Sequence, residues 1–246
     1  MKSFILTTAF IVAASATVSA KTNTTKVLAN GYPYSQVPFT NVNLVHNSFW
    51  GARLQAAREV TVPLAFSKCE SEHRYKNFDM AAYTLKHPGH PGLKTPEWDV
   101  AKIMGLSFDD TDVYKTIEGA SYILQTYPDK KLKAYIDSVL NIVAAAQEPD
   151  GYLYTARTIN PEHPHGWSGK KRWEKEEDLS HELYNLGHMV DAAFAHYQAT
   201  GSRKFLDIAR RYADCVCREV GSGSGQTTVV PGHQIAEMAL ARLYTL

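Results

Sequence analysis

DVYKTIEGASYILQTYPDKKL, residues 112–132, decides the fold. Val113, Ile117, Ala120 and Leu124 recur at helical spacing, which predicts a helix over Asp112–Tyr127. Pro128 stops it, and Asp129 is placed to cap the next one. Leu132, Tyr135, Val139, Ile142 and Ala146 then give a return helix over Lys131–Gln147, closed by Pro149-Asp150-Gly151. The unit is a helical hairpin.

The hairpin recurs. A shift of 73 positions lays Asp112 on Asn185, Glu118 on Asp191, Ala120 on Ala193 and Lys131-Leu132 on Lys204-Phe205. Helices are expected over Leu179–Thr200 and Arg203–Val220, with Gly201 as the turn between them. A further shift of 46 lays Met189–Thr200 on Ile235–Leu246, so His233–Leu246 reads as the opening helix of a third unit. Recurring helix pairs with variable loops point to an all-α fold, a helical solenoid or a closed α/α barrel. The third helix has no return partner before Leu246, which leaves an apolar face uncovered. The expectation from the repeats is therefore an incomplete helical solenoid or α/α barrel, truncated at the C-terminus.

Upstream the pattern is less regular. Phe39–Val45 alternates loosely, as a short strand does. From Trp50 the pattern is helical through Leu54, Ala57, Val60 and Val62, and Pro63 predicts a break or kink. Lys86–Pro96 is a loop by its breakers, and Asn160–Lys171 is a long polar loop. Residues 1–20 read as a secretory signal peptide rather than as part of the fold. Lys2 supplies the charge, Phe4–Ala14 the apolar run and Val18-Ser19-Ala20 the cleavage signal. An uncleaved anchor is the other reading of that run, which is too short for a membrane span. The expected division is 1–20 leader, 21–42 N-terminal extension and 43–246 partial barrel domain. The product is exported, periplasmic or extracellular.

With Lys+Arg at 26 against Asp+Glu at 25, the charge of +1 excludes steering to nucleic acid or an anionic membrane. Three cysteines, Cys69, Cys215 and Cys217, make no disulfide framework. Cys215 and Cys217 sit two apart on a helix, so their thiols point to different faces and form no metal pair. Cys215 reads as core.

The densest polar constellation is Ser180-His181-Glu182-Leu183-Tyr184-Asn185-Leu186-Gly187-His188. His181, Tyr184 or Asn185, and His188 share one side of a helix. With Asn at 185 the zinc pattern HExxH is absent. The row either faces a cleft and binds a polar ligand, or holds one capping or buried histidine. His233, in Pro231-Gly232-His233, opens the last helix. Helix N-termini line the mouth of an α/α barrel, where a histidine can donate to a sugar hydroxyl, although a simple first turn explains it equally. Asp109, Asp110 and Asp112 precede a helix, either as N-cap and first-turn charge or as a glycosidase carboxylate pair. Tyr152 and Tyr154 line a rim or pack.

In order, Asn47-Ser48-Phe49-Trp50, Asp110-Thr111-Asp112-Val113-Tyr114-Lys115, Gln147–Leu153, His181-Glu182-Leu183-Tyr184 with Gly187-His188, and Gly232-His233 with Glu237 resemble glycoside hydrolase family 127, the β-L-arabinofuranosidases. The resemblance covers Asn43–Leu246. It implies an (α/α)6 barrel followed by β-domains, and retaining hydrolysis of terminal β-L-arabinofuranosyl groups. The implied nucleophile is a zinc-bound cysteine thiolate, and a glutamate is the acid/base. His181 and His233 match family positions that hydrogen-bond the sugar. Cys69, Cys215 and Cys217 do not match the nucleophile or the zinc ligands. The expectation is thus a carbohydrate-binding chain with no metal and no catalysis of its own, zinc belonging to a full-length homologue. Two other readings compete. One is a different α/α-barrel enzyme, a glycuronyl hydrolase or lyase, with chemistry on Asp109, Asp110 and Asp112. The other is a non-catalytic helical-repeat binding module.

Overall fold

The computed structural model describes residues 37–89 and 103–246. The leader at 1–20, most of the extension at 21–42 and the part of the Lys86–Pro96 loop beyond Gly89 lie outside the described residues. Nine α-helices are described: α1 Phe49–Ala56, α2 Val62–Ser71, α3 Arg74–Lys86, α4 Asp110–Thr126, α5 Lys130–Ala145, α6 Thr155–Thr158, α7 Glu182–Thr200, α8 Lys204–Glu219 and α9 Ala236–Leu243. Among the described residues there is no strand beyond an isolated bridge between Val220 and Thr227. No described helix is long and apolar enough to cross a membrane.

The repeat read from the sequence sets the packing. α4 lies against α7, and α7 against α9, so the three equivalent helices form one row, with α2 beside α4. α3, α5 and α8 neighbour one another in a second row. Between the rows sit Ile117, Ile136, Leu140, Leu186 and Phe205, all fully buried. This is an arc of an α/α barrel, as expected. Asp129 caps α5, its carboxylate accepting from Lys131 N at 2.7 Å and Leu132 N at 3.1 Å. Gly201 ends α7 at φ 71°, where an L side chain is strained. Ser48, within the Asn47–Trp50 motif, caps α1 by accepting from Gly51 N at 3.1 Å.

Several boundaries differ from the sequence reading. Phe39–Asn41 is a short 3-10 turn rather than a strand, for Val42, Leu44 and Val45 are exposed and no neighbouring strand among the described residues offers a ladder. Pro63 does not break the chain. Ala57–Thr61 widens to a π turn just ahead of it, a local distortion in a helical run that contains a proline, and Val62–Ser71 continues the run. Helix α9 starts at Ala236 rather than His233, because Gly232 is held against the Glu176 and Glu177 carbonyls and Ile235 against Gly187 on α7.

His196 on α7 is fully buried, and neither ring nitrogen has a hydrogen-bond partner among the described residues. Burial pushes its pKa down to about 4, so it stays neutral in the fold. A base depressed on folding takes up its proton first in the unfolded chain. Its contribution to stability is lost as pH falls from about 6.5 towards 4. His196→Leu is expected to raise the unfolding free energy by about 1 kcal/mol at pH 7, and by more at pH 5. Urea unfolding at the two pH values checks this, and no gain at either contradicts it.

Candidate sugar-binding site

The N-terminal ends of α4, α7 and α9 meet. Phe108, two residues ahead of α4, has its ring 4.9 Å from His181, the residue that opens α7. His181 in turn lies 4.9 Å from His233, three residues ahead of α9. Tyr184 sits among them, 5.6 Å from His181, 5.1 Å from His233 and 4.5 Å from His188. Lys115 on α4 donates from Nζ to the Tyr184 hydroxyl at 2.5 Å, which leaves the phenolic proton to point elsewhere. Asn185 does not join them. It is buried and donates from Nδ2 to His181 O at 2.8 Å, so Tyr184 is the member of that pair on the histidine side.

The local sequence explains each placement. His181 is left-handed, at φ 61°, and this turns it out of the helix that follows. Its Nδ1 sits 2.6 Å from Leu179 O, and since a carbonyl only accepts, that nitrogen carries the proton. In the Nδ1–H tautomer Nε2 is then an acceptor. His181 has no side chain capping α7. Glu176 does that work from the preceding loop, accepting from Glu182 N at 2.7 Å and Leu183 N at 3.0 Å. Beneath it Glu182, fully buried, accepts from the Tyr152 hydroxyl at 2.5 Å and Trp173 N at 2.9 Å. The Ser180 hydroxyl lies 2.9 Å from Glu176 Oε2 and 2.8 Å from Glu182 Oε2. One hydroxyl proton serves one of these oxygens, so a carboxyl proton shared with the other completes the chain. Burial pushes Glu182 up and Glu176 up to about 7, which fits a proton held there.

Two glycines bring the His233 segment in. A Cβ on Gly187 would lie 2.7 Å from Ile235 Cγ2 and 2.8 Å from its carbonyl carbon. A Cβ on Gly232 would lie 2.9 Å from Glu177 O. Both glycines are there for close approach. His188 is half-buried, and burial, helped by the charges of Lys115 and His233, pushes it down to about 4. It is therefore neutral near pH 7. The surface so formed has imidazoles, a phenol and aromatic faces at one mouth, the groups that match the hydroxyls and C–H faces of a sugar.

The other sequence candidates are spent structurally. Asp110 is buried and accepts from Thr155 N at 2.8 Å and Thr155 Oγ1 at 2.6 Å. Asp109 accepts from Leu106 N at 2.7 Å and pairs with Arg74 at 2.9 Å, and Asp112 pairs with the same guanidinium at 2.9 Å. None of the three caps α4 through its side chain, which corrects the capping half of that reading, while Asp110 and Asp112 do stand in its first turn as expected. None stands as an open carboxylate pair either. Tyr152 and Tyr154 pack rather than line a rim, both fully buried, with the Tyr154 hydroxyl donating to Ser180 O.

Asp150, Cys215 and Glu219 come together in the only described grouping with a metal-ligand donor set. Arg172 already fills it. Its Nη1 is 2.7 Å from Asp150, 2.6 Å from Glu219 and 3.9 Å from the Cys215 sulfur. Burial, then Glu219, pushes the Cys215 thiol up to about 12. Burial also pushes Cys69 up. These thiols do not suit thiolate chemistry.

A description of the β-L-arabinofuranosidase catalytic domain of glycoside hydrolase family 127 matches residues 41–246. The chain belongs to glycoside hydrolase family 127. A solved family-127 structure titled a β-arabinofuranosidase is 66% identical, with TM-score 0.78, over 87% of this chain and 32% of that one. A family-127 β-L-arabinofuranosidase from Geobacillus stearothermophilus T6 is 36% identical, with TM-score 0.70, over 83% of this chain and 30% of the other. The non-reducing end β-L-arabinofuranosidase of Bifidobacterium longum subsp. longum is 39% identical over 140 residues, 57% of this chain and 21% of the relative. The chain thus spans about a third of the length of those family-127 structures, 32% and 30%, and 21% of the curated relative. The two histidines singled out from sequence, 52 positions apart, are ring neighbours. Phe108, Lys115 and Glu176 were not singled out as members of the site. Lys115 carried a signal within the Asp110–Lys115 motif and Phe108 stands two residues ahead of it, whereas Glu176 lay in a charge-rich loop that gave none.

Proposed function

We propose that this chain supplies the sugar-binding wall of a β-L-arabinofuranosidase, holding a terminal β-L-arabinofuranosyl group between His181 and His233. The observation that carries the reading is the 4.9 Å approach of the two imidazoles at the shared mouth of α7 and α9. His181 Nε2 accepts from one sugar hydroxyl, His233 contacts a second, and Tyr184 and Phe108 offer ring faces to the C–H side. Within this proposal the chain binds but does not cleave. Its buried thiols have raised pKa values, and Arg172 takes the place a metal would need, so zinc and the thiolate nucleophile belong to a longer family protein. Export through the leader at residues 1–20 is part of the same proposal, resting on Lys2, the apolar run and Val18-Ser19-Ala20.

Titration calorimetry with methyl β-L-arabinofuranoside tests it. Wild type is expected to bind, with His181→Ala and His233→Ala each weakening binding about tenfold or more, the loss of one good hydrogen bond. The p-nitrophenyl glycoside is expected to remain uncleaved. Equal binding by wild type and both variants contradicts the site, and turnover abolished by Cys215→Ala contradicts the non-catalytic reading.

A further inference from the structure

We propose that Glu176 is the positioning residue that makes His181 and His233 one site. Its side chain fixes the first turn of α7 and its backbone fixes the turn before α9. The inference rests on the reading of those histidines as sugar contacts.

Four bonds carry it. The carboxylate binds Glu182 N and Leu183 N at 2.7 and 3.0 Å, and lies 2.9 Å from the Ser180 hydroxyl. Those partners flank His181 on both sides and leave it the left-handed turn it adopts. The Glu176 carbonyl accepts from Gly232 N at 3.2 Å, one residue from His233. One path from one imidazole to the other thus runs through a single residue. Glu176 is 2% exposed, and no cation pairs with it among the described residues. A buried carboxyl without a counter-ion is costly. An alternative cap, serine or aspartate at position 181, would satisfy α7 at lower cost, but would remove the histidine. The capping duty therefore sits in the loop, and that loop holds the second histidine.

Glu176→Gln keeps the size of the side chain and removes one acceptor. Its amide N–H groups then face the N–H of Glu182 or of Leu183, and one of the two bonds is lost. NMR on the full chain reads the outcome through cross-relaxation between ring protons. In wild type a His181–His233 ring contact is expected, along with Tyr184–His188 as an internal control. In Glu176→Gln the first is expected to vanish and the second to persist. Affinity for methyl β-L-arabinofuranoside is expected to fall about tenfold. Ile136→Val, a remote core change costing about 1 kcal/mol, is expected to leave both readouts unchanged and so separates positioning from general destabilisation. If Glu176→Gln fails to fold, Gly232→Ala replaces it. A Cβ there meets Glu177 O at 2.9 Å and parts the two turns on the exposed side, with the same loss expected. A persistent His181–His233 contact in the variant tested, or loss of the contact in Ile136→Val, overturns the proposal. If wild type does not bind the sugar, the proposed function fails, and the ring contact alone decides the role of Glu176.

Discussion

Arg172→Ala is expected to cost about 3 kcal/mol of stability. Arg172 holds Glu148 at 2.7 Å, Asp150 at 2.7 Å and Glu219 at 2.6 Å, and lies 4.0 Å over the Tyr152 ring. Its removal leaves three carboxylates facing one another without the cation they share, and uncovers an aromatic face. The partial exposure of the cluster, 22% for Arg172 itself, lets water relieve some of that cost and keeps the value below the upper range for buried pairs. The hub also ties the loop carrying Trp173 to α8, since Trp173 Nε1 donates to Glu219 at 2.8 Å. Lysine is not expected to rescue it, because an ammonium group cannot fork among three carboxylates. Chemical unfolding of wild type, Arg172→Ala and Arg172→Lys reads this directly. A loss below about 1 kcal/mol would show the network to be an ordinary surface ion-pair cluster.

The second large effect is expected at Gly187. Its place on α7 abuts Ile235, where even a methyl group would sit at 2.7–2.8 Å from three atoms, one of them backbone. Gly187→Val cannot be absorbed by a side-chain shift alone, so α9 has to move away from α7. Overpacking of this kind costs about 3 kcal/mol. The change also parts His181 from His233, and sugar binding is expected to be lost even at temperatures where circular dichroism shows a folded helical chain. Unchanged affinity in a folded Gly187→Val protein would separate the histidine pair from binding.

The fold was legible because helical hairpins write their period into the sequence. The segment at 112–132 and its copy 73 positions on became α4 and α7 side by side in one row. The helix ends were less legible, for they depend on tertiary contacts. Leu179–His181 reads as helix by its apolar spacing, yet α7 begins at Glu182, because Glu176, from the loop, caps it. Residues 233–235 read as helix too, but form only a bend and a turn, held by the approach of Gly187 and Gly232 to their neighbours. At the site, His181 and His233 came from the resemblance, and one-sidedness of His181, Tyr184 and His188 from helical spacing. That these residues meet Phe108 and Lys115 from another helix is a fact of packing, written in no local pattern. The aspartates at 109, 110 and 112 show the reverse. Their cluster suggested caps or chemistry, and only the positions of Arg74 and Thr155 reveal that they are consumed in holding loops to helices.

The central claim is that the meeting point of α4, α7 and α9 holds a β-L-arabinofuranosyl group. A crystal structure of this chain soaked with methyl β-L-arabinofuranoside tests it most directly. The account predicts the sugar ring within hydrogen-bond distance of His181 Nε2 and of His233, with a face against Tyr184 or Phe108. Sugar bound elsewhere on the chain, with those two imidazoles left in solvent, would contradict it.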